Sequence, residues 1–290
     1  MSLAVFVINL DTSRERMAQI ETASEKAGLS LTRVAAIDGR VEDGTRWEGF
    51  DDAAFRRRNG RNALPGEIGC YRSHLKALDR FVQSGAPHGL ILEDDALPTA
   101  DTASRIAAII DAAPDADVIR LISHRNRGFI ARTETSAGDR LGTTLTGPQG
   151  SAAAYLVSRR GAERLLATLL PMSLPYDVAL EQFWVNGADG YSVRDDVLGR
   201  SDHRNQSTIA NTSHYDAAKF RATRRVSALV FRVCDGLRRA SAALMPGKLA
   251  HLVEFPPYPA LGFGRSPERT MPRWLQLLPV VAVLMLLSPV

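Results

Sequence analysis

Cysteine is scarce in this sequence of 290 residues, which contains Cys70 and Cys234 and no other. The two lie far apart and show no metal-ligand spacing, which excludes a disulfide-rich secreted scaffold and predicts a reduced, cytoplasmic compartment. The amino terminus also lacks the positively charged segment and the small-residue cleavage site of a secretory signal. The net charge of +4 is small for this length, so it gives no reason to expect a nucleic-acid partner.

Charged residues make up 23% of the chain and hydrophobic residues 45%, as in ordinary globular proteins. Residues 216–248 depart from this balance, and residues 217–244 have helical spacing. We therefore predict a domain at residues 1–215 and a basic helical extension with an apolar tail at residues 216–290. The basic residues of the segment, set against Asp216 and Asp235, are Lys219, Arg221, Arg224, Arg225, Arg232, Arg238, Arg239 and Lys248.

The most informative stretch is residues 88–97, an apolar run that ends in Glu93, Asp94 and Asp95. It predicts a buried strand whose carboxyl end reaches solvent, which is where open α/β sheets bind ligands. Adjacent carboxylates repel one another, so a cation is a natural partner, and Mn²⁺ or Mg²⁺ suits oxygen ligands. Glu93 and Asp95 are expected on one face of the strand and Asp94 on the other. The alternative is a solvated acidic turn.

The chain opens with a predicted strand at residues 3–10, a helix beginning near Asp11 and a second strand at residues 32–39. This β-α-β order predicts a parallel sheet of the nucleotide-sugar type, although the glycine pattern of a dinucleotide fold is missing. Arg14 and Arg16 follow the first strand, where they could contact phosphate or base. The alternative is that they are surface arginines without a role.

Two further predicted helices carry candidate residues. Residues 65–81 form a helix bearing Ser73 and His74, which is either a ligand or a structural histidine. The helix predicted at residues 176–184 carries Asp177 and Glu181 one turn apart on the same face. Either carboxylate could be a general base, and Asp177 could equally be a helix cap. His203 lies in a polar loop that could fold back toward a metal or diphosphate.

The carboxyl-terminal stretch at residues 274–287 is strongly apolar but is broken by Gln276 and Pro279. At about 1.5 Å per residue a helix of this length falls short of a ~30 Å hydrocarbon core. With the arginines upstream, it predicts a tail that dips into the anionic cytoplasmic leaflet. The alternative is a terminal helix packed on its own domain.

Four sequence blocks resemble glycosyltransferase family 25, which includes lipooligosaccharide galactosyltransferases and collagen galactosyltransferase domains. Together with a weaker fifth block they cover roughly residues 3 to 210. The pairing of Gly-Glu-Ile-Gly-Cys with Ser-His and then Glu-Asp-Asp about twenty residues later is the most specific feature. The blocks are residues 7–11 with Arg16, residues 34–39, residues 66–74, residues 90–95 and, more weakly, residues 154–158 with Gly161 and Ala162.

The resemblance implies a GT-A fold, which is a Rossmann-like α/β sheet, mixed but mostly parallel and flanked by helices. It also implies inverting hexose transfer, typically from UDP-galactose, with Mn²⁺ or Mg²⁺ on the acidic motif. The acceptor would be a glycolipid or oligosaccharide such as a growing bacterial lipopolysaccharide core, and the enzyme would be cytoplasmic, attached peripherally to the inner membrane. The implied roles are Asp177 or Glu181 as base, Asp95, Glu93 and His203 as metal ligands, and Asn9, Arg14, Arg16, Asp38, Ser73, His74, Glu93 and Asp94 on the donor side.

Two other classes of function stay open at this stage. A metal-dependent phosphohydrolase or nucleotidyltransferase would also use an acidic strand end, although the sequence shows no clear second carboxylate cluster for two metals. A non-catalytic, membrane-associated protein could keep sugar-nucleotide binding without turnover. The first would release phosphate or pyrophosphate without a sugar acceptor, and the second would bind donor without hydrolysing it.

Overall fold

The strands of the protein are assembled into one eight-stranded mixed sheet in the order β2-β1-β3-β8-β5-β9-β7-β6, with a small second sheet made of β4 and β10. The computed structural model describes residues 2–41, 44–201 and 219–245. The strands are β1 (Leu3–Asn9), β2 (Leu31–Ala35), β3 (His88–Glu93), β4 (Ala96–Leu97), β5 (Val118–Arg120), β6 (Phe129–Glu134), β7 (Arg140–Thr144), β8 (Ala154–Ser158), β9 (Gly190–Val193) and β10 (Gly199–Arg200).

α-Helices lie between β1 and β2, between β2 and β3, between β4 and β5, and between β8 and β9. The helices are α1 (Arg14–Lys26), α2 (Asp52–Asn59), α3 (Pro65–Ser84), α4 (Thr102–Ala112), α5 (Arg159–Thr168), α6 (Tyr176–Leu180), α7 (Phe183–Asn186) and α8 (Val226–Leu244). Short 3₁₀ turns lie at Gly44–Arg46 and Ala222–Arg225. In the part of the chain that the structure describes, no helix is long and apolar enough to cross a membrane.

The pairings make the sheet mixed, but most strands share one direction. β2, β1 and β3 are parallel to one another, and β5 and β9 are parallel to each other. β8 is antiparallel to both β3 and β5, and β7 is antiparallel to both β9 and β6. Six of the eight strands therefore run one way, with β8 and β7 opposed, which confirms the predicted α/β class with a mostly parallel sheet.

Both faces of the central strands are buried. Along β1, Phe6 and Ile8 belong to the core that includes residues of α3 and α5, whereas Val5 and Val7 belong to the core that includes residues of α1 and α4. The same alternation in β3 divides Ile91 from its neighbours. Side chains of successive strand residues point to opposite faces, so helices on both sides of the sheet explain why these strands are continuously apolar.

Two predicted elements end earlier than the sequence indicated. The second strand stops at Ala35 because the following residues leave the sheet and contact α3, where the Ser73 hydroxyl accepts a hydrogen bond from the Ile37 amide at 2.8 Å. The helix predicted at residues 176–184 is broken, since α6 ends at Leu180 and α7 begins at Phe183. Between residues 125 and 150, β6 and β7 form an antiparallel hairpin.

The basic helix α8 packs on the sheet domain with one face. Its buried residues Phe231, Asp235, Arg239 and Ala243 recur at every fourth position, which aligns them along one side of the helix. Phe231 joins the main core and Asp235 accepts a hydrogen bond from Gln182. The proposed domain boundary after residue 215 and the apolar tail at residues 274–287 lie outside the described residues, and both stay predictions.

Candidate active site

The candidate site is a cavity of about 390 Å³, called the cleft below, at the edge of the sheet where the parallel strands end. It is lined by residues that follow β1, β2, β3 and β5 and by the segment that leads into the antiparallel strand β8. β2 and β3 lie on opposite sides of β1, so the cleft opens at a topological switch point of the sheet. Of the predicted site residues it brings together Arg16, Asp38, Ser73, His74, Glu93, Asp94, Asp95 and Asp177.

The three consecutive carboxylates differ in their partners. Asp94 is neutralised, because it accepts a hydrogen bond from Asn9 Nδ2 at 2.8 Å and forms an ion pair with Arg16 at 3.1 Å. Burial raises its pKa, and these two partners oppose that shift. Asn9 is itself buried, does not line the cleft and also donates to the Ser13 carbonyl. Asn9 and Arg16 thus fix the acidic turn through Asp94.

Asp95 has no such partner. Its Oδ1 is buried and accepts no hydrogen bond, and within residues 2–41, 44–201 and 219–245 the carboxylate forms no ion pair. Burial, together with the neighbouring charges of Glu93 and Asp94, raises its pKa to about 6. Arg16 opposes this shift but does not pair with Asp95. An acid that forms no ion pair at the end of a strand is suited to hold a divalent cation.

Glu93 faces a buried histidine. His74 Nε2 lies 3.1 Å from Glu93 Oε1, and its Nδ1 lies 3.3 Å from the Tyr155 hydroxyl. The imidazole also stacks on Tyr176 with a centroid distance of 4.0 Å and an interplanar angle of 7°. His74 is therefore held in one orientation by an aromatic ring and two polar partners.

Asp177 lies in the first turn of α6, and Pro175 rather than Asp177 is the N-cap residue. The side chain is half-buried and, in the part of the chain that the structure describes, forms no ion pair. Burial is the main cause that raises its pKa to about 6, and Glu181 adds to the shift while Arg120 opposes it. A carboxylate that changes protonation near neutral pH can accept a proton from a hydroxyl.

Glu181 does not share the position that the sequence predicted for it. Because α6 ends at Leu180, Glu181 is the residue after the helix and lines a second cavity of about 390 Å³ beside α8. It pairs with Arg120 at 2.8 Å and with Arg239 at 3.2 Å. The expectation that Asp177 and Glu181 lie on one face of one helix is wrong, and Glu181 occupies a buried ionic network rather than the cleft.

The buried ionic network consists of Arg120, Gln149, Glu181 and Arg239. Arg120 is fully buried and donates to Glu181 and to the side chain of Gln149. The backbone N–H of Gln149 donates to both carboxylate oxygens of Glu181, at 3.2 and 3.1 Å. The next residues along the chain, Gly150 and Ser151, line the cleft, so the network supports one wall of the site.

The donor-side predictions have mixed placements. Asp38 lines the cleft, and Arg40 beside it holds the pKa of that carboxyl below its usual range. The Ser73 hydroxyl is hydrogen-bonded to the backbone, since it donates to the Gly69 carbonyl at 2.7 Å and accepts from the Ile37 N–H. Arg14 is exposed and does not line the cleft. His203 lies outside the described residues.

Two glycines explain why distant sequence blocks meet at the cleft. A Cβ on Gly39 would lie 1.8 Å from the Pro65 carbonyl oxygen, and one on Gly69 would lie 2.4 Å from the Ile37 carbonyl oxygen. The segment after β2 and the first turns of α3 therefore touch backbone to backbone, which no larger residue allows. This contact sets Asp38 beside the residues of α3 that line the cleft.

The sequence analysis missed several residues of the cleft, among them Cys70, Arg200 and His124. Cys70 and His74 are four residues apart, so they lie on one side of α3, and this spacing on a predicted helix was the available signal. Arg200 Nη1 lies 2.7 Å from His124 Nδ1, across 76 residues of sequence. No local sequence pattern predicts this contact between Arg200 and His124.

A mixed α/β sheet with helices on both faces and an acidic cleft at its topological switch point defines a class of proteins that bind ligands at strand ends. Comparison with known proteins narrows the class. Residues 2–180 match the family model described as glycosyltransferase family 25 (LPS biosynthesis protein), which is more than half of the 290 residues. The chain belongs to glycosyltransferase family 25.

Curated relatives are distant and longer. A glycosyltransferase 25 family member of Drosophila pseudoobscura pseudoobscura is 27% identical over 171 residues, which is 56% of this chain and 27% of the relative. Procollagen galactosyltransferase 1 of Danio rerio is 26% identical over 187 residues, 60% of this chain and 30% of its own length. A probable inactive glycosyltransferase 25 family member 3 of Rattus norvegicus is 24% identical over 213 residues, 66% of this chain and 36% of the relative. The chain spans about a third of the length of these relatives.

Proposed function

We propose that this glycosyltransferase moves a hexose from a UDP-sugar, in the first instance UDP-galactose, to a hydroxyl of a saccharide acceptor with inversion at the anomeric carbon. The observation that carries the proposal is that Asp95 and Asp177, neither of which forms an ion pair in the described residues, line one cavity from different segments of the chain. A relative named procollagen galactosyltransferase 1 supports the choice of sugar. The relative named as probably inactive makes turnover the property to test first.

A divalent cation fits the acidic end of β3. Asp95 offers a buried oxygen without a hydrogen-bond partner, and Glu93 offers a second carboxylate in the same cleft. We propose that these two side chains hold Mn²⁺ or Mg²⁺, with His203 as a further ligand, and the ion when bound would neutralise charge on the departing UDP. Asp94 is already paired, so its part is to hold the turn in place.

The cationic side chains of the cleft suit a diphosphate. Arg200 and Arg16 both line the cavity, and each is fixed by a carboxylate, Asp196 and Asp94 respectively. A guanidinium held in this way keeps N–H groups in fixed directions for phosphate oxygens. We propose that Arg200, which the sequence analysis missed, joins Arg16 and Asp38 on the donor side.

Asp177 is the proposed general base. Inverting transfer needs a group that removes the proton of the acceptor hydroxyl as that oxygen attacks the anomeric carbon. A carboxylate whose pKa is raised to about 6 is ionised at neutral pH, yet it is a stronger base than an ordinary aspartate. Glu181 is occupied by two arginines and so is the weaker candidate.

We propose that the acceptor is a glycolipid at the cytoplasmic face of the inner membrane, such as a growing lipopolysaccharide core. The basic segment at residues 216–248 and the apolar stretch at residues 274–287 support a membrane-bound acceptor, because such segments favour an anionic membrane surface.

Donor turnover tests the proposal. Purified protein is incubated with UDP-, GDP- and CMP-sugars with Mn²⁺ or with EDTA, and nucleotide release is measured with and without saccharide acceptors. We expect cation-dependent UDP release from one sugar, at least ~10²-fold slower in Asp95→Asn. Asp101→Asn, which changes an exposed acid away from the cleft, is the matched control. Release of pyrophosphate or phosphate would favour the phosphoryl-transfer alternative, and donor binding without release under any acceptor condition would favour a binding protein.

A further inference from the structure

Three side chains with metal-ligating atoms of different chemistry converge in the cleft. They are Cys70, His74 and Glu93, and one ligand atom from each lies within 4.8 Å of the other two. Cys70 and His74 are one helical turn apart on α3, and Glu93 is the last residue of β3. All three line the cavity, so an ion among them would be reached from the cleft.

His74 is already oriented as a metal-binding histidine would be. Its Nδ1 meets the Tyr155 hydroxyl, which in turn lies 2.9 Å from the Tyr176 hydroxyl. With Nδ1–H donating to Tyr155, the lone pair of Nε2 is directed at the Glu93 side of the ring. Histidine ligands are held in this way by a hydrogen bond to the other ring nitrogen, which fixes the tautomer and the plane of the ring.

The electrostatic surroundings favour a cation at this point. Burial is the main cause that raises the pKa of the Cys70 thiol, and the nearby acids add to the shift, namely Glu93, Asp177, Glu67 and Asp95. Without a cation, a thiol in such surroundings stays protonated and is a poor nucleophile. A divalent ion would favour the ionised thiolate over the protonated thiol, because it attracts the thiolate and the nearby carboxylate together.

We propose that Cys70, His74 and Glu93 form a three-ligand site for a zinc-class divalent cation, with its fourth position open to the cleft. The Nε2 to Oε1 distance of 3.1 Å is close to the edge of a tetrahedral zinc site, about 3.4 Å for bonds of about 2.0–2.1 Å. The Sγ atom of Cys70 lies within 4.8 Å of both of these ligand residues' atoms. A set of sulfur, nitrogen and oxygen ligands selects zinc over manganese or magnesium.

This site is separate in chemistry from the proposed oxygen site at Asp95, but both would use Glu93. Resting on the proposed function, zinc should therefore inhibit sugar transfer in competition with Mn²⁺, since Glu93 cannot serve both ions fully. The binding itself does not depend on that function. It can be tested on the full chain without any sugar donor.

The direct test uses Co²⁺, whose complexes with thiolate ligands have a charge-transfer absorption band in the near ultraviolet. Co²⁺ is added to chelator-treated full-length protein, and Zn²⁺ is then added to displace it. We expect one equivalent of Co²⁺ to produce the band and Zn²⁺ to abolish it. Cys70→Ser should lose the band, whereas Cys234→Ser, which removes the other cysteine, should retain it. Tyr155→Phe should weaken binding roughly tenfold by freeing the histidine ring.

The proposal is overturned if folded wild-type protein gives no band, or if the band survives Cys70→Ser or disappears in Cys234→Ser. A second measurement needs no variant and covers the case in which Cys70→Ser does not fold. Zn²⁺ should slow alkylation of Cys70 by at least about tenfold and leave Cys234 unchanged, as followed by peptide mass spectrometry. Equal alkylation rates of Cys70 with and without Zn²⁺ would also refute the site.

Discussion

The cleft and the buried ionic network contain acids of the same type in opposite circumstances. In the network, Glu181 is held by Arg120 and Arg239, and just before β5 the buried Asp117 is held by Arg160 and Arg164. In the cleft, Asp95 and Asp177 have no basic partner within the described residues, and burial raises the pKa of each to about 6. Loss of the partner of a buried, paired acid destabilises the fold, whereas a half-buried acid that forms no ion pair is available for chemistry.

The largest effect that separates the two regions should come from Asp177→Asn. We expect transfer to fall about 10²- to 10⁴-fold because the proposed base is lost, while the protein stays folded since no ion pair is broken. Initial rates at saturating donor and acceptor, with circular dichroism of the same sample, provide the measurement. Asp101→Asn is the control. Near-normal transfer by folded Asp177→Asn would remove Asp177 from the role of base.

Glu181→Gln should show the reverse pattern. Removing its charge leaves the buried Arg120 and Arg239 without their common partner, which we expect to lower the free energy of unfolding by about 3–5 kcal/mol. Asp117→Asn should cost less than Glu181→Gln, because Arg160 and Arg164 are about half exposed and can turn to solvent. Urea unfolding of both variants gives the values. If Glu181→Gln instead kept full stability and lost transfer, the division between structural and chemical acids would be wrong at this residue.

The dependence of stability on pH provides a further test that Asp177, unlike the paired acids of the network, is an acid without an ion pair. Its pKa in the folded protein is about 6 against an ordinary 3.8, so the folded state binds the proton more tightly than the unfolded chain does. Its contribution to stability is therefore fully present below about pH 4 and falls as the pH rises to about 6. We expect Asp177→Asn to be more stable than wild type at pH 7.5, by on the order of 1 kcal/mol, with no difference near pH 4.

Thermal unfolding of the two proteins across that pH range provides this measurement. A wild-type activity profile that declines below about pH 6 would report protonation of Asp177, of Asp95 or of both, since burial raises the pKa of each to about 6. An identical stability difference at pH 4 and pH 7.5 would mean that the carboxylate of Asp177 is not the group responsible.

The smallest effect is expected where an acid is paired but not buried. Arg159 and Glu163 form an ion pair at 3.3 Å on the surface of α5, and about half of each side chain is exposed. Because solvent screens such pairs, Arg159→Ala should change the free energy of unfolding by no more than about 0.5 kcal/mol. A loss comparable with that of Glu181→Gln would show that pairing alone, without burial, sets the stability of these acids.

Much of the fold could be predicted from the sequence because its signals are local. The apolar runs of β1 and β3 and the Pro and Gly at the ends of α3 mark their elements without help from distant residues. The break between α6 and α7 could not be predicted in this way. It depends on Glu181 turning into a network whose partners lie 61 and 58 residues away.

The candidate site was predictable as a set of residue types but not as a set of roles. The sequence shows three adjacent carboxylates, but it does not show which of them is neutralised. Asp94 is neutralised because it bonds to Asn9 and Arg16, which are 85 and 78 residues away in sequence. Likewise, the sequence shows the spacing of Cys70 and His74, but only the fold shows that Glu93, from another element, lies beside them. Pairing across the fold decides what each charged group can do.

The ends of the family match and of the folded unit do not coincide. The match stops at residue 180, yet β9 lies between β5 and β7 in the middle of the sheet, and α8 supplies Arg239 to Glu181. A fragment trimmed to the matched region would lack an interior strand, and it would also lack Glu181 and Arg239, so Arg120 would lose its acidic partner. The shortest portion of this chain worth expressing as a stable domain therefore extends through Leu244.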